Sequence, residues 1–376
     1  MKVGFLIYSY FPYGGQQRDF YRIVRECVAR GHQVVVYTLK WQGEPPADIE
    51  VRFVPVTSWW RLRLYRRFTR WVLDALHREP CDLVIGFNKM PGLDVYFAAD
   101  PCFADKAEHQ RGAYYRYTPR YRHFMAYEEA VFGPHSRTRV LLLSRLQQQS
   151  YEHYYPDSGP RLHLVPPGID PNRKPTDAAP VIRRQFRHEF DLESDHLLVL
   201  QVGSGFKVKG VDRALRAIAS LPERLRQRVT YLLVGQDRPD RYLSLAKKLG
   251  IADRFRVLPG RDDIPRFLLG ADLLLHPAYS ESAGYVLLEA TIVGLPVLTT
   301  ETCGYASHIR AAGSGLVCSE PFQQAELNRN LEHMLTAPER SVWQQQGIDY
   351  GRRENLYAMP GAATDYLEQF ARAAVG

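Results

Sequence analysis

Glu281 and Glu289 stand with seven residues between them, in Glu281-Ser282-Ala283-Gly284-Tyr285-Val286-Leu287-Leu288-Glu289, and the chain runs on through Gly294-Leu295-Pro296 into an apolar stretch at 297–300. A carboxylate can act as acid, base, nucleophile or hydroxyl ligand, so the separation of the two decides among chemistries. Eight helical steps of about 1.5 Å would set them roughly 12 Å apart. That is long for the carboxylate pair of a glycoside hydrolase, about 5–9.5 Å. It suits two contacts along one extended ligand, such as the hexose and the ribose of a nucleotide sugar. Alone the pair says little, since a chain of this length holds about one by chance. Its context says more: an apolar strand at 272–276 precedes it, a short helix carries it, and a glycine–proline turn leads into the next strand. Such a unit places Glu281 at the helix mouth, on the carboxyl edge of a parallel sheet where open α/β folds bind ligands. Ser282, Ala283, Gly284, Tyr285 and Val286 fall inside the same site, and Ser282 and Tyr285 would shape a sugar pocket. A surface glutamate followed by a helix-capping one is the plain alternative.

Two glycine loops offer the complementary chemistry. Gly14-Gly15 follows the first apolar stretch and opens a helix. Backbone without side chains lets a phosphate approach N–H groups there, and the helix dipole favours an anion. The dinucleotide fingerprint is incomplete and no acidic residue ends the second strand, so a dinucleotide is not expected; an ordinary tight turn is the alternative. Asp19 lies about one turn into that helix. Gly203-Ser204-Gly205-Phe206-Lys207-Val208-Lys209-Gly210 is the equivalent loop of the second half. No Asp-x-Asp pair occurs to hold a divalent cation on a diphosphate, and the histidines show no ligand spacing. No metal and no other cofactor is expected, and His276 reads as structural.

Those residues need elements to hold them. At 376 residues the chain exceeds one comfortable core, so two domains are expected. Short apolar runs at 3–8, 33–39, 51–56, 83–87, 95–99 and 140–143 suit buried parallel strands. Residues 16–30 read as a helix with Phe20, Ile23, Val24 and Cys27 on one face. Pro166-Pro167-Gly168-Ile169-Asp170-Pro171-Asn172 is the strongest punctuation and sets the boundary after residue 168. Beyond it, strands at 197–202, 230–234, 255–258, 272–276 and 296–299 alternate with helices beginning near Val211, Asp240, Asp263 and Gly284. The alternation predicts an α/β chain of two doubly wound, Rossmann-like domains facing across a cleft, 1–168 and 169–355. Five scattered cysteines without a Cys-x-x-Cys fit reduced thiols in a cytoplasmic protein. No run approaches the roughly 20 apolar residues of a membrane span, and the first stretch is too short for a signal-peptide core.

The net charge of +8 is unevenly spread. Residues 58–71 pack Arg61, Arg63, Arg66, Arg67 and Arg70 among tryptophan, tyrosine and phenylalanine. Residues 111–122 interleave Arg111, Arg116, Arg120 and Arg122 with four tyrosines. Cations among amphipathic rings suit the headgroup layer of an anionic membrane. They would also suit nucleic acid, or a solvated helix face with its rings buried.

The glutamate pair, the lysine–glycine of the second glycine loop and the glycine pair after the first strand together resemble the retaining GT-B glycosyltransferases of family 4. Tyr10-Phe11-Pro12-Tyr13-Gly14-Gly15, Phe87-Asn88-Lys89-Met90-Pro91-Gly92-Leu93-Asp94-Val95-Tyr96-Phe97-Ala98-Ala99-Asp100 and Leu273-Leu274-Leu275-His276-Pro277-Ala278-Tyr279 are similar, within that family, to the enzymes that add a hexose to the inner-core heptose of lipopolysaccharide. The likeness spans nearly the whole chain. It implies that Lys209 neutralises the diphosphate of a UDP-sugar, where a cation helps because the departing nucleoside diphosphate gains charge. It makes Asp19 an acceptor-side or catalytic candidate, an exposed capping-region aspartate being the alternative. Asp100 ends a strand of the first half facing the cleft, where it could touch the transferred hexose. Gly235-Gln236-Asp237 and Arg261-Asp262-Asp263-Ile264 end strands on the same edge and would frame the uracil and ribose, where Arg261 either stacks on the base or stays at the surface. Two family arginines are replaced here by Ser204 and Val208, and Lys207 or Arg173 would compensate. It also implies that 356–376 crosses back to the first domain, and it tilts the basic segments toward an anionic inner-membrane surface, with no nucleic acid.

The expected protein is a cytoplasmic, peripherally membrane-bound enzyme. It would move a hexose, glucose first, from a UDP-sugar to an inner-core heptose, with retention and without metal. A UDP-N-acetylhexosamine donor, an epimerase of the same fold without a lipid acceptor, and a catalytically silent scaffold stay open. Vesicle binding separates the second, and UDP binding the third.

Overall fold

The computed structural model describes residues 1–12 and 14–375. Tyr13 of the first glycine motif and Gly376 at the end of the tail lie outside the described residues. The chain forms two compact units, Met1–Gly168 with Ala358–Gly376, and Ile169–Tyr357. Each is built on an all-parallel sheet with helices around it, an α/β domain.

The first unit's sheet runs, edge to edge, Glu50–Phe53, Gln33–Thr38, Lys2–Leu6, Leu83–Gly86, Val95–Ala98, Arg139–Leu142 and Leu162–Leu164. Strands such as Leu-Val-Ile-Gly and Val-Tyr-Phe-Ala are buried along their length, as expected for strands covered on both faces. Val3 pairs with Val34 on one side and Leu83 on the other. The helix Gly15–Ala29 buries Phe20, Ile23, Val24 and Cys27, the i, i+3, i+4, i+7 stripe that makes it amphipathic. It stops at Gly31, whose φ of +80° a side chain would disfavour.

The helix Met359–Val375 closes the unit by lying on Gly15–Ala29. Cys27 Sγ is 3.7 Å from Thr364 Oγ1, Arg30 donates to Asp365 (2.6 Å), and His32 meets Glu368 (2.9 Å). This crossing begins at 358, not at 356. The Leu356 carbonyl accepts from Ile169 N (2.8 Å), which keeps 356–357 with the second unit.

The second unit's sheet runs Phe255–Leu258, Val229–Val234, Leu197–Val202, Leu273–His276, Val297–Thr300 and Gly315–Cys318. Its core sets Val199, Leu233, Leu273 and Leu298 against Ala214, Leu215 and Ile218 of Val211–Ala219 and Leu327 and Leu331 of Gln324–Thr336. The edge strand Gly315–Cys318 is absent from the sequence reading. It is four residues long, and its apolar run, Leu316-Val317-Cys318, is too short to stand out.

Candidate active site

The order of the second sheet fixes where its ligand edge lies. Successive strands add outward from Leu197–Val202 on one side, then resume from Leu273–His276 on the other, so these two neighbours mark the reversal. Loops leaving the carboxyl ends of strands at such a reversal diverge and leave a crevice. Here they are residues 203–210 and 277–284, which carry Lys209 and Glu281. Tyr279 N donates to the Val208 carbonyl (2.7 Å) and ties one loop to the other. Gly210 takes a φ of +70°, and a Cβ there would run into the Pro277 carbonyl, so only glycine allows the approach. Gln201, buried in the strand, donates to the Lys209 carbonyl (2.7 Å) and holds the lysine backbone.

The ammonium of Lys209 is ion-paired with the Glu281 carboxylate, and His276 Nε2 lies 3.4 Å from the same oxygen. Burial pushes the Lys209 ammonium down to about 8, with Cys303 opposing. Burial also holds His276 down to about 3, helped by Lys209, so the imidazole is neutral and lies against the carboxylate. The sequence reading missed this contact, because nothing in the spacing of His276 and Glu281 shows a loop folding back.

Glu281 is not carried by a helix. The helix is Tyr285–Ile292, capped by Gly284 at φ +97°, and Glu281 precedes it in backbone bridged to Cys303. Glu281 N donates to Thr302 O (3.1 Å), its carbonyl accepts from Gly304 N (2.9 Å), and the Ala283 carbonyl accepts from Tyr305 N (2.8 Å). The assumption of eight helical steps to Glu289 therefore fails, and Glu281 owes its position to a turn some twenty residues downstream. Glu289 lies inside the helix, its side chain 8% exposed, and meets Arg173 Nε at 3.7 Å. Arg173 thus stands with Glu289 on this edge.

The remaining candidates of this unit frame the same edge. Ser204 Oγ accepts from Gln236 N (3.0 Å), and a Cβ on Gly235 would strike the Gly203 carbonyl, so these two residues lock the first loop to the next strand end. Lys207 is exposed. Ala283 is buried, and Tyr285 stands edge-on to Tyr305 at 5.5 Å, with Ser282 and Val286 half-buried beside them. Arg261 donates twice to Asp263 (2.7 and 2.9 Å) and lies over Phe267, and Ile264 is buried at the start of Ile264–Gly270. In the first unit, a Cβ built on Gly15 meets nothing within 4 Å, leaving open room at the helix start, whereas one on Gly14 would strike Gln17 and Phe11. Asp19 is 2% exposed, not a surface aspartate. Asp100 lines a recess with Lys89 and Lys106. Among the described residues no three His, Cys, Asp or Glu side chains gather as a metal requires.

The two basic segments, separate in sequence, adjoin in the first unit. Arg61–Arg78 and Pro119–Phe132 are helices, with Ala113–Tyr117 a 3-10 turn before the second. Tyr65 lies 6.3 Å from His123, and the Tyr127 hydroxyl donates to Thr69 (3.0 Å). Around this junction Arg61, Arg63, Arg66, Arg67, Arg116, Arg120 and Arg122 are exposed, as are Trp59 (101%), Trp60 (75%) and Tyr114 (86%). No described helix is long and apolar enough to cross a membrane.

Comparison with known proteins agrees with this geometry. Residues 182–349 match the model for glycosyl transferases group 1, and residues 13–173 that for glycosyltransferase family 4. The chain is 45% identical over 368 residues to the lipopolysaccharide glucosyltransferase WaaG of Escherichia coli K12, covering 98% of both. It is 30% identical to a D-inositol 3-phosphate glycosyltransferase of Actinosynnema mirum over 55% of this chain and 53% of that one. The crystal structure of WaaG, a glycosyltransferase involved in lipopolysaccharide biosynthesis, superimposes with a TM-score of 0.91 over 97% of this chain and 99% of that one, at 45% identity. Anabaena Alr3699/HepE, solved with UDP and glucose, shares the fold at 18% identity, with a TM-score of 0.74 over 98% of this chain and all of its own.

Proposed function

Because this chain belongs to the family-4 glycosyltransferases of GT-B fold, with WaaG as a full-length relative, we propose that it moves glucose from UDP-glucose to a heptose of the lipopolysaccharide inner core, with retention of the α configuration. The observation that carries the reading is the Lys209–Glu281 pair at the sheet reversal. Lys209 and Glu281 are 19% and 18% exposed, and desolvation offsets the attraction of so covered a pair, which makes it weak support for stability. In the proposed complex the donor diphosphate takes the ammonium of Lys209. The freed carboxylate of Glu281 then accepts from hexose hydroxyls, and Glu289, beside Arg173, accepts from the ribose. No side chain is placed as a nucleophile. The bond from the anomeric carbon to UDP breaks, the acceptor oxygen bonds the same face, and a phosphate oxygen of the departing UDP takes the acceptor proton. Lys209 stabilises the charge that develops on it, the task a metal performs in other transferases.

The adjoining basic and aromatic segments support peripheral attachment to an anionic inner-membrane surface on the cytoplasmic side, where such an acceptor is presented. The test is turnover on a panel of UDP-sugars with a truncated core acceptor, with and without chelator, and the anomeric configuration of the product read by NMR. Glucose transfer to heptose, α-configured and unaffected by chelator, is expected. A preference for an N-acetylhexosamine donor, an inverted product, or activity restored only by Mg²⁺ or Mn²⁺ would each overturn the corresponding part.

A further inference from the structure

Arg213 is a buried cation that the reaction described above leaves unused. It is the third residue of Val211–Ala219, the helix into which the Lys209 loop runs. That is a costly place for positive charge. The first turn of a helix disfavours a cation, and a guanidinium taken out of water stays charged. Among the described residues no carboxylate pairs with it. Asp212 beside it is taken by Arg216 (2.8 Å) and by the Tyr279 hydroxyl (3.0 Å). Two rings hold the guanidinium instead, its carbon lying 3.7 Å from the centre of Tyr279 and 3.6 Å from that of Phe322. Its Nη1 donates to the carbonyls of Pro277 (3.4 Å) and Ala278 (3.2 Å).

Apart from Phe322, these contacts fall on the start of the loop 277–284. The Pro277 carbonyl is the one that leaves no room for a Cβ on Gly210. The Ala278 carbonyl also accepts from Thr300 Oγ1 (2.8 Å) and Thr302 Oγ1 (2.7 Å). Thr302 in turn takes Glu281 N on its own carbonyl. A guanidinium and two hydroxyls therefore converge on one carbonyl three residues before Glu281, and one of those threonines also fixes Glu281 itself.

We infer that Arg213 is a positioning residue for the transfer: by clamping Pro277, Ala278 and Tyr279 it sets where the Glu281 carboxylate meets the hexose of a bound UDP-sugar. The inference rests on the reading of Glu281 as the hexose contact. A guanidinium suits the task because its donors are fixed in one plane, so rings can cover its faces while an edge serves the carbonyls. Misplacing such a contact by about 1 Å costs on the order of 100-fold in rate. UDP, held by Lys209 and Glu289, does not depend on the clamp.

The test is a double-mutant cycle on the full chain, read by calorimetric titration as the ratio of the Kd for UDP-glucose to that for UDP. Loosening of the whole unit weakens both ligands and cancels in the ratio, whereas loss of the hexose contact does not. Arg213→Met should raise the ratio at least fivefold, as should Glu281→Gln, with UDP itself within threefold of wild type. The two changes together should raise it no further than Glu281→Gln alone, because one acts through the other. Arg213→Lys keeps a donor for the two carbonyls and should restore most of the loss. In transfer assays Arg213→Met should lower kcat at least twentyfold with the KM for the acceptor unchanged. Should that variant fail to fold, Tyr279→Leu removes one ring at an exposed position and should raise the ratio at least twofold, again not beyond Glu281→Gln alone. An unmoved ratio, additive effects of the two changes, or no recovery by lysine overturns the inference. If the wild type binds no UDP-glucose, or Glu281→Gln itself leaves the ratio unmoved, the function proposed above fails and this inference falls with it. Glucose transfer by the wild type with an unmoved ratio in Arg213→Met defeats the positioning role alone.

Discussion

Replacing Glu281 by glutamine removes the acidic partner of Lys209 while keeping the side chain's shape. In the wild type the diphosphate must displace that partner. In Glu281→Gln it need not, so UDP affinity at pH 7 should stay within several-fold of wild type or tighten, while transfer is lost with the contact to the hexose. The pH dependence carries the sharper consequence. UDP binds the charged form of Lys209, so affinity is full below the pKa of the free enzyme's lysine and falls as pH rises through it. Burial, opposed by Cys303, sets that value at about 8 in the wild type. In the wild type, affinity at pH 9 should therefore be about tenfold weaker than at pH 7, one pH unit above the pKa being worth 1.36 kcal/mol. In Glu281→Gln, which lacks the neighbouring carboxylate, the alkaline fall should come at lower pH than in the wild type. Lys209→Arg should flatten the alkaline limb, since arginine stays charged throughout. The assay is calorimetric titration of UDP from pH 7 to 9.5 in the three proteins. Coincident limbs in wild type and Glu281→Gln, or loss of UDP binding in Glu281→Gln at pH 7, would refute the reasoning.

Glu289→Ala should weaken UDP itself by about 10- to 150-fold, since a charged hydrogen bond to a ribose hydroxyl is worth about 1.5–3 kcal/mol. Equal UDP affinities for Glu289→Ala and Glu281→Ala would undo the division of labour between the two glutamates. Gly210→Ala forces a side chain into a left-handed backbone against the Pro277 carbonyl. It should lower the Tm of the second unit and cost UDP affinity, the left-handed conformation alone being worth about 1–2 kcal/mol; an unchanged Tm would mean the two loops are held apart by something else. Serine at Arg61, Arg63, Arg66 and Arg67 should release the protein from anionic vesicles, at about 1 kcal/mol per arginine near the surface, with UDP affinity intact. Because the second segment adjoins the first, serine at Arg116, Arg120 and Arg122 should weaken the same binding; if neither variant loses it, the arginines are a solvated face.

What was legible in the sequence is what leaves a period or a run. The strand Leu197–Val202 and the stripe Phe20, Ile23, Val24, Cys27 could be read because burial on both faces, or on one helical face, writes itself into successive residues. Glu281 and Lys209 could be singled out by residue type, yet their pairing could not, because it depends on two loops brought together by strand order. The loop around Glu281 looks helix-compatible in isolation and is extended only because Thr302 and Gly304 pair with it. Likewise Glu128 sits within a basic, aromatic stretch and reads as surface. Only the fold shows it buried against Lys89, two backbone amides of Phe103–Gln110 and the Tyr155 hydroxyl (3.1 Å).

The helix Met359–Val375, which lies on Gly15–Ala29, also orders events during synthesis. About 190 residues of the second unit separate the rest of the first unit from this helix. At roughly 5–20 residues per second, the ribosome needs about 10–40 s to make them. For that interval the face bearing Cys27, Arg30 and His32 has no cover, although the strands beneath it have already emerged. The unit that is translated first is therefore finished last, after its neighbour has had time to fold. Nascent chains stalled before residue 359 should remain sensitive to protease within residues 15–30, and that sensitivity should vanish once the helix clears the exit tunnel.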